Sequence, residues 1–575
     1  MSKKIILSIL LCCLGIVARA AATDISTCEN IVYAKSMKAM AGSTIQLPIL
    51  MNNKASVPSF QFDLVLPEGI NFVKAELSLD RTTATNTNNF NYSVQTDGSY
   101  RILAASTSNA TFDGNDGEVA IVTLSIDENV ADGSYPLKLK GIVISDLDAK
   151  GVQSLGEVES TLTVGKPEYS EGYSVKVAPI SLEEAGEANA EVFFVVASGQ
   201  TPVSKIDFDI VFNKEWCDHE MVYNFLKNGS LSSKNYDASD PADNGDGSYH
   251  FTLTAKRENY YFGTVESTKI GSFCICQEET SYSIPTGIHQ IQITNIVATD
   301  EDGNKYYAAP TTTYVKVGEP TESDIALEGH VTKDVTTALA NETSLTKIDM
   351  SKVVSIDGSL TLRDKCDLIA PKYDVPVSAV TYKRSEVNKW GTICLPYDVT
   401  SSTTIQYYKL KEVGESTMTF EPVTTVEAGT PAVFRLLDEN ETVADMSEIN
   451  AVLKAGDKTW TGAVDQWEMK GTYTNITIDP TTMANDIYYI ATNKILHANQ
   501  SFKVAAYRGW FETPKSSSSK SKAYSVGFGD DNTTDIDLIE NENGEIDLIF
   551  DLGGKQLPQT KKGINIINNK KVIVK

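Results

Sequence analysis

The stretch FQFDLVL, Phe60 to Leu66, is written again as IDFDIVF, Ile206 to Phe212, and this doubling constrains the fold more than anything else in the chain. In the first copy Phe60, Phe62, Leu64 and Leu66 fall on one side of a strand, with Gln61 and Asp63 on the other. In the second, Ile206, Phe208, Ile210 and Phe212 oppose Asp207 and Asp209. A strand apolar on one side belongs to a sheet with one face packed and one face wet.

The echo runs on. TDGSYRILAAS, Thr96 to Ser106, matches GDGSYHFTLTA, Gly245 to Ala255, each an Asp-Gly turn feeding an alternating strand. GSYPLKLKGIVISDLDAKG from Gly133 matches GIHQIQITNIVATDEDGN from Gly287, and both copies close alike, with TVGKP ending at Pro167 and KVGEP at Pro320. Units of about 140 to 150 residues are too long for solenoid repeats and suit independent β-sandwiches. The one helical pattern is Glu215 to Leu226, where Cys217, Met221 and Phe225 fall four apart ahead of Asn228-Gly229.

With 575 residues, several domains are expected, and 41% apolar content is enough to pack them. A formal charge of −26 repels phosphate backbones and anionic lipid, which argues against nucleic acid and membrane-surface partners. Lys3 and Lys4, the apolar run Ile5 to Val17 and the small residues around Ala18-Arg19-Ala20 form a secretory signal over 1–22. Leu11 ahead of Cys12 favours ordinary cleavage over lipidation. No other stretch is long and apolar enough to span a bilayer. Downstream of the signal stand Cys28, Cys217, Cys274, Cys276, Cys366 and Cys394, too sparse for a disulfide scaffold; Cys274 and Cys276 read as packing residues on one side of a strand.

The organisation expected is therefore a signal (1–22), a first sandwich (23–167), a second (168–320), a small β connecting unit (321–372), a β-rich domain (373–514), a polar and acidic linker (515–545) around PKSSSSKSK, and a β tail (546–575).

PSFQFDLVLPEGINFVKAEL, SYRILAASTS and DGEVAIVTLSIDENVADGSYPLKL resemble the strand order and turn signals of the cohesin family, the first copy more fully than the second. The resemblance implies jelly-roll sandwiches that bind dockerin modules or serve adhesion. It also implies that a polar residue on the outer face of the doubled strand grips the partner's helix. Gln61 and Asp207 hold that place, and only the second copy keeps an acid there. KWGTICLPYDV and AAYRGWF resemble C-terminal regions of exported Bacteroidetes proteins. The ending IFDLGGKQLPQTKKGINIINNKKVIVK resembles the sorting tail of the type nine secretion pathway, with a strand at Leu548 to Leu552, a Gly-Gly turn with Lys555 where Arg is usual, and a basic β end from Lys570. A terminal hairpin completing the preceding domain is the plainer alternative.

Motifs of catalysis are missing. His219, His250, His289, His330 and His497 form no ligand or triad spacing, and no phosphate-cradling glycine loop occurs. A glycoside hydrolase needs only two carboxylates brought together in space, so that class stands as the alternative. Asp146 and Asp148 with Gly151, Asp300 and Asp302 with Gly303, and the loop of Asp240, Asp243 and Asp246 offer oxygen ligands at spacings that suit structural calcium. They also suit turns in which the side chain bonds its own backbone. No other cofactor is expected. For a glycan, aromatic platforms would come from Tyr260-Tyr261, Tyr306-Tyr307, Trp460, Trp467 or Trp510, the adjacent pair Tyr260 and Tyr261 being favoured because one ring must face outward. The expectation is an exported, non-catalytic, mainly β protein that binds a protein partner or an extracellular polysaccharide at the cell surface or beyond it.

Overall fold

The computed structural model describes residues 22–78, 81–82, 88–183, 187–211, 235–238, 241–244, 247–257, 260–276, 284–387, 389–438, 440–455, 464, 466–491, 494–515, 523–528, 549–551, 556–557, 563–567 and 570–574. The signal (save Ala22), the helix at 215–226, Asp240, Asp246, Trp460 and the side chains of Cys274 and Cys276 lie outside this set. The chain is mainly β, and two compact units divide it, one within 1–177, 189–276 and 291–311, the other within 178–188, 277–290 and 312–575.

The first unit opens with the strands β1 (Asn30–Ala34), β2 (Met37–Ala39), β3 (Thr44–Asn53), β4 (Ser59–Val65), β5 (Ile70–Leu77), β6 (Asn88–Val94), β7 (Tyr100–Ser106), β8 (Glu118–Ile126), β9 (Gly133–Ser145) and β10 (Glu157–Val164). They form a four-stranded sheet β1-β3-β8-β5 and a six-stranded sheet β2-β10-β9-β4-β7-β6. Alternation decides which side of each strand is covered. Phe60, Phe62 and Leu64 of β4 pack with Leu47, Ile49, Val122 and Leu124 of the facing sheet. Fully burying each such side chain contributes about 1.5–3 kcal/mol.

The second copy supplies β11 (Tyr173–Val177), β12 (Ile180–Leu182), β13 (Glu187–Val196), β14 (Lys205–Val211), β15 (Tyr236–Ala238), β16 (Ala242–Asp243), β17 (Ser248–Ala255), β18 (Ser267–Cys276), β19 (Gly287–Thr299), β20 (Lys305–Tyr307) and β21 (Thr311–Val317). Its part of the first unit repeats the plan, with β11-β13-β18 as one sheet and β15-β17-β14-β19 in the other. The likeness extends to irregularities. In the first copy the β4–β9 register slips between Gln61 and Asp63, and in the second the β14–β19 register slips between Asp207 and Asp209. The extra residues at the two slips include Gly141 and Asn295, both with positive φ, 59° and 51°. β2 runs parallel to β10, as β12 does to β21.

Within the first unit the two sandwiches touch. Lys35 Nζ lies 3.2 Å from the Tyr307 hydroxyl and 4.3 Å from its ring centre. Tyr307 is held within the second sandwich by Ser170, whose N–H donates to the Tyr307 carbonyl at 2.7 Å and whose Oγ accepts Tyr307 N–H at 3.1 Å. Lys305 stands 3.6 Å from Glu118, which also accepts the Ser78 hydroxyl.

In the second unit the expected connecting segment departs from its reading as strands alone. β22 (Ser323–Val331) and β23 (Leu345–Ile356) are parallel and joined by a helix, α1 (Lys333–Asn341), whose Val335, Thr336 and Leu339 are buried. Parallel neighbours require such a crossover. β21, β22 and β23 share one sheet, so the boundary expected at 320 falls inside a sheet. A nine-stranded sheet follows, and it corrects the expected linker at 515–545. The strand Ala523–Phe528 belongs to that sheet, parallel to Thr417–Val423 and antiparallel to Lys494–His497. Tyr524 is buried there, and the Phe528 ring meets Trp390, Tyr408 and Phe420. Four short tail strands between Ile549 and Val574 pair with one another. Among the described residues no helix is long and apolar enough to cross a membrane.

Candidate functional site

β4 lies between β7 and β9, so the outward side of the doubled strand sits in the middle of an open sheet face. Gln61 is opposite Leu103 on one side and Val143 on the other. Both neighbours are apolar and exposed, at 37% and 41%, and Asn91 of β6 continues the row beyond Leu103. One register step along, Asp63 accepts two parallel bonds from Arg101, at 2.7 and 2.9 Å. Lys140, opposite Asp63, is paired with Asp97. The first copy therefore presents a neutral, partly apolar centre edged by satisfied charges.

The second copy keeps the frame and changes the chemistry. Asp209, at the place of Asp63, is buried and meets His250 Nδ1 at 2.6 Å and Asn295 Nδ2 at 2.6 Å. His250 occupies the place of Arg101, opposite Asp209 in the register. Asp207, at the place of Gln61, accepts the Thr252 hydroxyl at 2.7 Å and has Lys205 at 3.1 Å and His250 Nε2 at 3.8 Å. Burial presses the His250 pKa down, but bonding to Asp207 and Asp209 outweighs it and lifts it to about 9. Burial likewise raises that of Asp207, and the His250 bond with the Lys205 charge brings it below the ordinary carboxylate range. The imidazolium is therefore held between two carboxylates.

The remaining expected site residues fall elsewhere. Asp146 accepts the backbone N–H groups of Asp148 and Lys150, both at 2.9 Å, and Asp148 faces Lys150. Asp300 accepts Asn304 N–H, Asn304 Nδ2 and the Tyr306 hydroxyl, while Asp302 is exposed in the same turn. Asp243 is exposed on β16. Asp146 and Asp300 act as turn formers, and no group of three or more His, Cys, Asp or Glu residues gathers for a metal among the described residues. Tyr260 is 39% exposed, and the Tyr261 hydroxyl donates to Glu301 at 2.7 Å. Trp467 and Trp510 are buried, Trp510 donating to Glu512, so neither is a glycan platform. Tyr306 stacks on Tyr173, and Tyr307 is engaged by Lys35.

Sequence reasoning did not name Leu103, Val143, Arg101 or His250 as parts of these faces. The alternation of β7 and β9 put Leu103 and Val143 on outer faces, but only the pairing register sets them beside Gln61.

No curated protein sequence matches the chain. Among solved structures it is similar to a non-cellulosomal cohesin from Archaeoglobus fulgidus, at 23% identity over 24% of this chain and 91% of that one, with a TM-score of 0.20. It is also similar to the seventh ScaB type I cohesin from Pseudobacteroides cellulosolvens, at 20% identity over 24% and 92%, TM-score 0.21. A type I cohesin–dockerin complex of OlpA from Clostridium thermocellum matches at 16% identity over 24% and 99%, TM-score 0.22. Residues 32–164, which span β1 to β10 almost entirely, match the family described as the cohesin domain.

Proposed function

We propose that the chain is an exported, non-catalytic binding protein of the cell surface or its surroundings, whose first sandwich docks a protein partner on the open face of β9, β4 and β7. The observation that carries this reading is the row Val143, Gln61, Leu103, in which two exposed apolar side chains flank a polar one on a rigid sheet within a cohesin domain. A partner helix of the dockerin kind, apolar along one side, fits such a row, and the ion pairs of Asp63 and Lys140 form its polar rim. The signal-like N-terminus and acidic composition support export and a soluble surface. The sorting-like tail supports release or attachment outside the cell.

The test is capture of secreted proteins on the immobilised chain, wild type against Leu103→Asp with Val143→Asp. A partner bound through this face is lost, or weakened at least about tenfold, by the double variant. Equal capture by both would sink the assignment. The glycoside hydrolase alternative is tested by reducing sugar released from polysaccharide. The central carboxylates of both faces, Asp63, Asp207 and Asp209, are already engaged by basic or hydrogen-bonding neighbours, which favours binding over hydrolysis.

A further inference from the structure

The second sandwich carries an aromatic end that its fold does not require. In both copies a buried phenylalanine anchors the loop that follows the doubled hairpin. Phe112 N–H donates to the Val57 carbonyl at 3.0 Å, and Phe262 N–H donates to the Val203 carbonyl at 2.8 Å. Both rings are buried, at 3% and 1% exposure. The anchor is shared, but the two residues before it are not. The first copy has Ala110 and Thr111, and the second has Tyr260 and Tyr261. A fold that closes with alanine and threonine at these places has no packing need for two tyrosines.

The tyrosines also keep polar company. Tyr260 stands edge-on to Tyr236, ring centres 6.4 Å apart at 88°, and leaves much of its ring in water. The Tyr236 ring in turn rests 4.9 Å from the Phe262 ring, which ties the exposed ring to the core. Tyr261 donates to Glu301, drawing the Asp300–Asn304 turn to the same end, and Glu301 and Asp302 are exposed there. A partly exposed ring tied to the core, followed in the chain by a tyrosine that holds an exposed carboxylate, offers a pyranose a flat face for its C–H groups and an acceptor for its hydroxyls. The two exposed acids repel anionic sugars and select for neutral ones.

We propose that this loop end of the second sandwich is a binding site for a neutral polysaccharide, with Tyr260 as the stacking platform and Glu301 as a hydroxyl acceptor oriented by Tyr261. The site is separate from the docking face of the first sandwich, so one chain joins a protein partner to a glycan.

The test is migration of the full-length chain through native gels containing β-glucan, xylan or galactomannan, against a plain gel. Retardation by at least one of the three is expected. Tyr260→Ala weakens it about tenfold or more, as loss of a stacked aromatic contact should. Tyr260→Phe, which keeps the ring, retains it. The Leu103→Asp with Val143→Asp variant is retarded like wild type, which separates this site from the protein-docking face. No retardation in any gel overturns the proposal, as does undiminished retardation of a folded Tyr260→Ala chain. Loss of retardation in the Leu103/Val143 variant would move the glycan to the first sandwich and overturn it too.

Discussion

His250 holds by protonation the charge that Arg101 holds permanently, and this makes the second face sensitive to pH where the first is not. Its pKa in the folded chain, about 9, lies above the ordinary imidazole value of 6.5. The stabilisation it gives is therefore complete below about pH 6.5 and is lost as pH rises through about 9. Thermal melts of the wild-type chain should show the transition of the second sandwich falling between pH 7 and pH 10. In His250→Arg, which copies the first sandwich, that slope should disappear. A second residue-scale expectation concerns the bulge. Gly141 has φ of 59°, and a Cβ there would sit 3.8 Å from Asp63 Oδ2. Asn295 already occupies the equivalent place and bonds Asp209. Asparagine tolerates the left-handed region and β-branched residues do not. Gly141→Asn should change stability by less than about 1 kcal/mol, while Gly141→Val should cost roughly 1–3 kcal/mol, both measured by urea unfolding.

At the scale of elements, the doubled strand was legible because burial imposes a period of two on the apolar residues of β4 and β14, although the pairing of Asp63 and Asp209 buries those two outer-side residues as well. Gln61 and Asp207 were placed on outer faces by the same rule. Their neighbours were not legible, since Val143 comes to Gln61 across a register slip that alternation does not reveal. α1 was hidden for a different reason. VTKDVTTALAN is rich in β-branched residues, which weaken helix propensity, and the helix is held by Val335, Thr336 and Leu339 packing inward from a parallel crossover. The strand Ala523–Phe528 was hidden by the polar run ahead of it, though Tyr524, Val526 and Phe528 alternate. Close packing makes another element-scale expectation. A Cβ on Gly471 would lie 2.5 Å from Cys394 Sγ, so Gly471→Ala should destabilise the second unit by about 1–3 kcal/mol in chemical denaturation.

For the whole molecule, each copy's own core matters more than its place in the chain. The buried cluster of the first sandwich draws only on residues from Ile31 to Val164, so a fragment of residues 22–167 should unfold as one cooperative transition by itself. Among the described residues, Lys35 with Tyr307 and Lys305 with Glu118 join the two copies through polar groups. Lys35→Ala with Lys305→Ala should leave both sandwiches folded and raise the rate of proteolytic cutting between Gly165 and Gly172. Two modules held this way can raise apparent affinity for partners presented side by side.

The strand Ala523–Phe528 has a consequence for biogenesis. In the sheet order it stands between the group ending at Thr417–Val423 and the group beginning at Lys494–His497, yet it leaves the ribosome after every other strand of that sheet. Until it arrives both groups keep a raw edge, so the sheet cannot close before that strand has been made. A prematurely terminated polypeptide would carry those edges with it, which marks it for quality-control proteases.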